Sequence, residues 1–299
     1  MGYYPQIYLA KTERLIVMTA LEAIFFGIIQ GLAEFLPISS SGHLAFFHEL
    51  FGNMEEPTLS FDILLHLGTL AAVCIVYYKD IWEMICAFFS LTGKIFREKF
   101  NFRKISLSKS EKFLVMIIVA VLPLIPAALF EDYLEAVRSY IWAIGIFWIL
   151  NGLLLLFSDR VAARRKKLDV QDTEKCKTYR SAIAVGLCQV LAILPGISRS
   201  GMTTTGGMLC GFDREYAVKF SFILSIPAIL GANILSIKDF TAIPSSQILP
   251  YIFGMVAAML SGLAAIKLLN YISKKKDFRV FSVYCILLGI GAIILGIVK

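Results

Sequence analysis

Polar residues are scarce along this chain, and they come in clumps. Apolar runs at 61–78, 113–130, 141–157, 217–237, 248–269 and 281–298 each supply the roughly 17–25 residues that an α-helix needs to cross the hydrocarbon of a bilayer. Two further apolar stretches break this pattern. Residues 182–194 form a run too short to span before "PGISRSG" interrupts it. Residues 18–36 are long enough, yet they carry Glu22, Gln30 and Glu34 and stop at Pro37. Both read as helix, polar loop, helix. The pattern predicts an all-α integral membrane protein: six transmembrane helices plus two re-entrant helical hairpins.

The two interrupted stretches resemble each other. "QGLAEFLPISSSGHL" (Gln30 to Leu44) recurs as "QVLAILPGISRSGMT" (Gln189 to Thr203), 159 positions later. The same offset pairs Ile38, Ser39, Ser41 and Gly42 with Ile197, Ser198, Ser200 and Gly201, and it runs ungapped to Phe61 with Phe220 and Lys79–Asp80 with Lys238–Asp239. Only Pro37 and Pro195 slip, by one place. Residues 1–299 then form a single membrane domain of two repeats, 15–158 and 181–299, each a re-entrant hairpin followed by three spans. Three spans is an odd number, so the repeats have inverted topology and their polar loops enter from opposite faces.

Charge fixes the orientation. The chain is 58% hydrophobic and 17% charged, against about a quarter charged for soluble domains. Its net charge of +7 falls in clusters between apolar runs, which makes the membrane surface the partner and excludes nucleic acid. Basic residues crowd 79–112, 160–180 and 274–279, whereas 131–140 and 238–247 hold one each. The positive-inside rule makes the three rich loops cytoplasmic. That holds only if 182–211 enters and leaves on one face. The hairpin with Gln30 to His43 then enters from the extracytoplasmic side, and the hairpin with Arg199 from the cytoplasm. Six scattered cysteines lack disulfide or zinc spacing. Lys11 and Arg14 precede an apolar run without a clear cleavage site, so that run is read as mature protein.

Irregular backbone at membrane depth survives only when buried in protein or lining a wet cavity, so both loops should share one hydrated pocket. Gln30 and Glu34, at i and i+4, lie on one helix face. A carboxylate there needs a cation. That cation is either Arg199, in an ion pair joining the repeats, or a metal. Ser39, Ser40 and Ser41 stand beside His43, an imidazole placed to act as general base or acid for a serine; serines are also common in membrane helix packing. Gly196, Ser198, Arg199, Ser200 and Thr203 combine a forked cation, hydroxyls and flexible backbone suited to phosphate. His48 reads as interfacial, and His66, one turn from Asp62, as polar support. The two loops together ask for an anionic, phosphorylated ligand presented from the bilayer.

These motifs carry a family resemblance. "QGLAE" is similar to the (E/Q)xxxE motif, "PGISRSGMT" to the PGxSRSxxT motif and "PISSSGH" to the serine–histidine segment of the undecaprenyl-diphosphate phosphatases, the bacitracin-resistance (BacA) family. The resemblance runs over essentially the whole chain. It implies a plasma-membrane phosphatase that removes the terminal phosphate of a polyprenyl diphosphate lipid, recycling the carrier lipid of peptidoglycan synthesis. It also implies dependence on Mg²⁺ or Ca²⁺ and an inverted-repeat fold. On that basis Glu34, helped by Gln30, would hold the divalent cation, and Arg199 would clamp the phosphate. Ser40 would attack with His43 as acid/base. Gln30, Ser39, Ser41, Gly196, Ser198, Ser200 and Thr203 would bind substrate. Attack by a metal-activated water, with Ser40 only binding phosphate, stays open, and so does a homodimer. Gln30 stands where the motif also allows Glu, which leaves fewer charges for a metal. A lipid flippase or anion transporter is the rival, because broken helices in inverted repeats are also a transporter plan. A structural scaffold would leave the polar loops without purpose.

Overall fold

The computed structural model describes residues 18–51, 59–98, 106–127, 140–167, 173–236, 243–275 and 277–298. Among them there is no strand. In chain order the helices are α1 (Ala20–Phe35), α2 (Ser40–Phe51), α3 (Leu59–Val76), α4 (Tyr78–Arg97), α5 (Lys109–Val121), α6 (Leu124–Ala127) and α7 (Ile141–Lys167), followed by α8 (Thr173–Cys176), α9 (Tyr179–Leu191), α10 (Arg199–Leu209), α11 (Arg214–Ser236), α12 (Ser245–Lys275) and α13 (Arg279–Val298). Six stretches are long and apolar enough to cross a membrane: α3, α5 with α6, α7, α11, α12 and α13. They coincide with the six runs read from the sequence. The tail of the predicted 113–130 run, past 127, lies outside the described residues.

Polar residues at two helix starts act as caps. Thr19 Oγ1 accepts from the Glu22 N–H at 3.2 Å, and the Glu22 carboxylate accepts from the Thr19 N–H at 2.7 Å. This reciprocal box satisfies donors that the first turn of α1 would otherwise orphan. Ser108 and Glu111 repeat the device at α5. Glu111 is only 1% exposed and also accepts from Lys94 Nζ at 2.7 Å and Ser90 Oγ at 2.8 Å. Its charge is matched from α4.

The structure corrects the reading of 79–112 as a loop. Its first part is α4, twenty residues long, with Lys79, Asp80, Glu83, Lys94 and Arg97 among the polar positions and Trp82, Phe88, Phe89 and Phe96 exposed. The charges that marked a cytoplasmic connection lie along an amphipathic helix too polar to span. Only Ala87 of α4 is buried. Side-chain bonds from Ser90 and Lys94 pin the helix to α5.

The helices pack in a pattern that repeats. α1 lies along α12 and α12 along α3, just as α9 lies along α5 and α5 along α11. α3 meets α11, and α7 and α13 run against each other. Small residues make these approaches possible. A Cβ on Gly145 would sit 2.6 Å from the Gly289 carbonyl oxygen, and one on Gly289 would sit 2.5 Å from that of Gly145. In lipid, where apolar surface gains little by leaving lipid for protein, such backbone contact is a main source of helix association.

Gly145→Leu should therefore force α7 and α13 apart, an overpacking cost of about 1–3 kcal/mol, and lower the unfolding midpoint of the purified protein in detergent. Gly93→Ala, in an exposed stretch of α4 where a Cβ meets nothing within 4 Å, should hold or raise it. Scanning fluorimetry on both variants checks the pair; an unchanged midpoint for Gly145→Leu contradicts the packing argument.

Candidate active site

Four short helices and the middle of α7 build the site. α1 and α2 pack against each other across the turn at 36–39, and α9 and α10 do so across 192–198. Ser39 closes the first turn at φ 71°, the only non-glycine residue with positive φ among those described. This left-handed conformation is costly for a side-chain-bearing residue and marks stored strain next to functional groups. Gly196, at φ 97°, allows the corresponding turn in the second half.

The two loops are stitched together through α7. Trp148 Nε1 donates to the Ile38 carbonyl at 2.8 Å, and Asn151 Nδ2 to the Pro37 carbonyl at 2.8 Å. Asn151 Oδ1 accepts from the Ser198 N–H at 3.3 Å. One buried amide thus serves both halves. Ser198 and Ser200 hydroxyls point to the Leu36 carbonyl at 3.5 and 3.1 Å. Ser198 also caps α10, accepting from the Gly201 N–H at 3.1 Å.

Across this junction Glu34 meets Arg199. Arg199 Nη2 pairs with Glu34 Oε1, and Nη1 donates to the Ser225 carbonyl of α11 at 3.3 Å. The other carboxylate oxygen, Oε2, accepts from Ser40 Oγ at 2.7 Å and from Gln30 Nε2 at 3.1 Å. The Glu34 side chain is 6% exposed and that of Arg199 21%. Such a pair repays its desolvation only when the remaining lone pairs are also bonded, and here Ser40 and Gln30 supply that.

The structure brings together Gln30, Glu34, Ser40 and Arg199. Other residues that the sequence proposed for the site have their polar atoms committed elsewhere. His43 Nδ1 lies 2.6 Å from the Ser39 carbonyl, and Nε2 lies 2.8 Å from the Tyr284 hydroxyl. A carbonyl can only accept, so Nδ1 carries the proton, and the neutral ring accepts from Tyr284. Ser39 Oγ bonds Ser41 Oγ at 3.4 Å and the Gly42 N–H at 3.4 Å. Thr203 Oγ1 donates to the Arg199 carbonyl at 2.8 Å and lies 2.6 Å from Ser221 Oγ. His66 Nδ1 donates to the Asp62 carbonyl at 2.8 Å, and His48 stays half-buried on α2.

Sequence reasoning missed Asn151, Trp148 and Tyr284. Asn151 carried a signal, as a lone amide inside the apolar 141–157 run, since polar groups at such depth are rarely idle. Trp148 and Tyr284 carried none, because aromatic residues are ordinary in spanning helices.

These features define a class: a multi-pass, wholly helical membrane protein whose polar site lies where two broken helices meet. Residues 23–291 match the bacitracin resistance protein BacA family. The chain is 40% identical over 284 residues to a protein of Halothermothrix orenii called undecaprenyl-diphosphatase, covering 93% of this chain and 99% of that one. It is 42% identical over 277 residues to a protein of the same name from Alkaliphilus metalliredigens, covering 89% and 95%. A namesake in Methanobrevibacter smithii is 40% identical over 275 residues, covering 91% and 96%. The chain belongs to the BacA family.

Asn151→Ala should lower the unfolding midpoint, because it leaves the Ser198 N–H unpaired, at about 1–3 kcal/mol, and the Pro37 carbonyl with only the long contact from Cys285 Sγ at 3.6 Å. Asn151→Leu fills the same space and should do no better. A Leu variant as stable as wild type would mean that the amide contributes volume and not hydrogen bonds.

Proposed function

We propose that this protein hydrolyses undecaprenyl diphosphate to the monophosphate and inorganic phosphate at the Glu34–Arg199 junction, recycling a cell-wall carrier lipid and conferring bacitracin resistance. The observation that carries the site assignment is the hydrogen bond from Ser40 Oγ to Glu34 Oε2 at 2.7 Å, with the only arginine of the two loops on the same carboxylate. A serine hydroxyl is a weak nucleophile until a neighbouring base accepts its proton. Glu34 is such a base, provided Arg199 turns to the incoming phosphate.

In the reaction Arg199 holds the terminal phosphoryl group and offsets charge developing on its oxygens. Ser40 Oγ forms the bond to the terminal phosphorus as the bridging P–O bond breaks, and the lipid monophosphate leaves. The Ser40 proton passes to Glu34. A water then attacks the phosphoserine, inorganic phosphate departs, and Ser40 regains its proton. His43 acts in this scheme as a positioning group: its ring ties the strained Ser39 turn to Tyr284 of α13 and so aims Ser40.

The residues fit a divalent cation. Gln30 Oε1 is buried without a hydrogen-bond partner beside the Glu34 carboxylate, and among the described residues no cluster of three His, Cys, Asp or Glu could form a cage. Magnesium is commonly held by one or two carboxylates plus substrate phosphates, so Glu34 and the Gln30 amide oxygen would hold the ion. When bound, it would neutralise diphosphate charge and polarise the phosphoryl oxygens.

Residues 15–158 and 181–299 are proposed as inverted repeats. The paired helix contacts of the fold support this, as do Gly27 with Gly186 and Gly42 with Gly201, each 159 positions apart. The basic clusters support a plasma-membrane orientation in which the α1–α2 hairpin enters from the extracytoplasmic side and the site opens there.

Phosphate release by purified protein in detergent tests the activity. Ser40→Ala, Glu34→Gln and Arg199→Ala should each cost at least about 100-fold in turnover, the scale of removing a main electrostatic stabiliser. Chelation should abolish release, with Mg²⁺ or Ca²⁺ restoring it. Near-wild-type release by any of the three folded variants contradicts the site. For orientation, a cysteine replacing Asn53, which lies outside the described residues, should react with an impermeant thiol reagent on intact cells in an otherwise Cys-free background. One replacing Lys166 should stay silent; the reverse result turns the protein over.

A further inference from the structure

A cleft outside the site loops is lined by residues of both halves of the chain. It has a volume of about 220 Å³ and opens between α4, α5, α8 and the start of α11. Its floor is apolar, with Met84, Phe113 and Met116, and its rim carries Lys109, Lys112, Lys177 and Lys219. Three carboxylates face these lysines. Asp80 pairs with Lys219 at 2.5 Å and Glu174 with Lys177 at 2.5 Å, and Glu83 accepts only a long bond from Ser110 at 3.5 Å. Lys109 and Lys112 form no ion pair with a carboxylate among the described residues, although Lys112 is partly buried.

Three features point to one kind of occupant. Lys109 and Lys112 make no direct ion pair with a carboxylate among the described residues, which leaves their ammonium groups as donors for a phosphate. The positive field holds the Glu174 carboxyl below its ordinary range, mainly through its hydrogen bond to Lys177 and more weakly through Lys109 and Lys112. The floor is apolar, which suits the first carbons of acyl chains rather than a hydrated ion. One wall, α4, presents Trp82, Phe88, Phe89 and Phe96 outward, as a helix does that lies in the plane of the lipid headgroups. We propose that this cleft binds an anionic phospholipid of the leaflet against the basic loops, its phosphate on Lys109 and Lys112 and a headgroup hydroxyl donating to Glu83. A hydroxyl-bearing headgroup such as phosphoglycerol meets all three demands. Phosphatidylcholine offers Glu83 no donor and carries no net charge. The inference uses none of the residues placed in the hydrolytic site.

Native mass spectrometry of the purified full chain tests it, with dioctanoyl-phosphatidylglycerol and dioctanoyl-phosphatidylcholine as probes. Wild type should retain the glycerol lipid at concentrations about tenfold lower, the effect expected of two lysines at a lipid phosphate. Lys109→Gln with Lys112→Gln should erase that preference while phosphate release from the lipid diphosphate persists. Neutralising Lys79 and Arg97, which do not line the cleft, should leave it intact. The proposal is overturned if wild type shows no preference, if the lysine pair can be neutralised without effect, or if inorganic phosphate displaces the glycerol lipid at equal concentration. That last result would make the cleft a site for free phosphate.

Discussion

One ion pair governs the architecture. A carboxylate inside a membrane protein is expensive unless a cation and further donors meet it. Glu34 sits in the first half of the chain and its partner Arg199 in the second, 165 positions apart. Neither half can hold its own charge. The carboxylate therefore ties the two loops together, and the loops bring Ser40, Gln30 and the Ser225 carbonyl of α11 with them. Strain at Ser39 and the double bonding of Asn151 follow from the same demand, because both loops must stay irregular while buried. The carbonyls of Leu36, Pro37 and Ile38 and the Ser198 N–H find partners in side chains.

The surrounding helices make that junction rigid. Close approach of α7 to α13 at Gly145 and Gly289 brings Trp148 and Asn151 of α7 and Tyr284 of α13 to the loops together. His43 is clamped between them, stacked on Tyr284 with an interplanar angle of 3° and edge-on to Trp148. Its neighbour three residues back, Ser40, gains a fixed direction from that clamp. Packing of small residues in the spans thus reaches the hydroxyl that bonds the carboxylate.

Much of this was legible in the sequence, for physical reasons. Spanning helices must be long and apolar, so their positions could be read from hydropathy alone, and the six runs fall on six helices. The polar loops stood out because such residues are too costly to be scattered through apolar segments, and Glu34 had few cations to choose from. Amphipathic α4 escaped notice because its charges match those of a connecting loop, and only the periodicity of its aromatic residues tells them apart. His43 looked like the partner of Ser40 from sequence distance alone. At i+3 on α2 it is a neighbour along the helix, but the bonds of its ring to the Ser39 carbonyl and to Tyr284 depend on side-chain direction and on α13. Three residues of spacing do not encode that.

The glutamine at position 30 says how the pair must be used. With a second carboxylate there, Arg199 would face two negative charges and the resting site would be anionic. With Gln30 it is balanced: one carboxylate, one guanidinium, and amide and hydroxyl donors on the remaining oxygen. A diphosphate brings several negative charges at once, and its oxygens accept the forked bonds of Arg199 better than a single carboxylate shared with two other donors. In the proposed reaction this exchange frees Glu34 from its cation as Ser40 gives up its proton. In that proposal substrate binding and activation of the hydroxyl are coupled, because the Arg199 donor that holds the carboxylate is the one a phosphate oxygen would draw away.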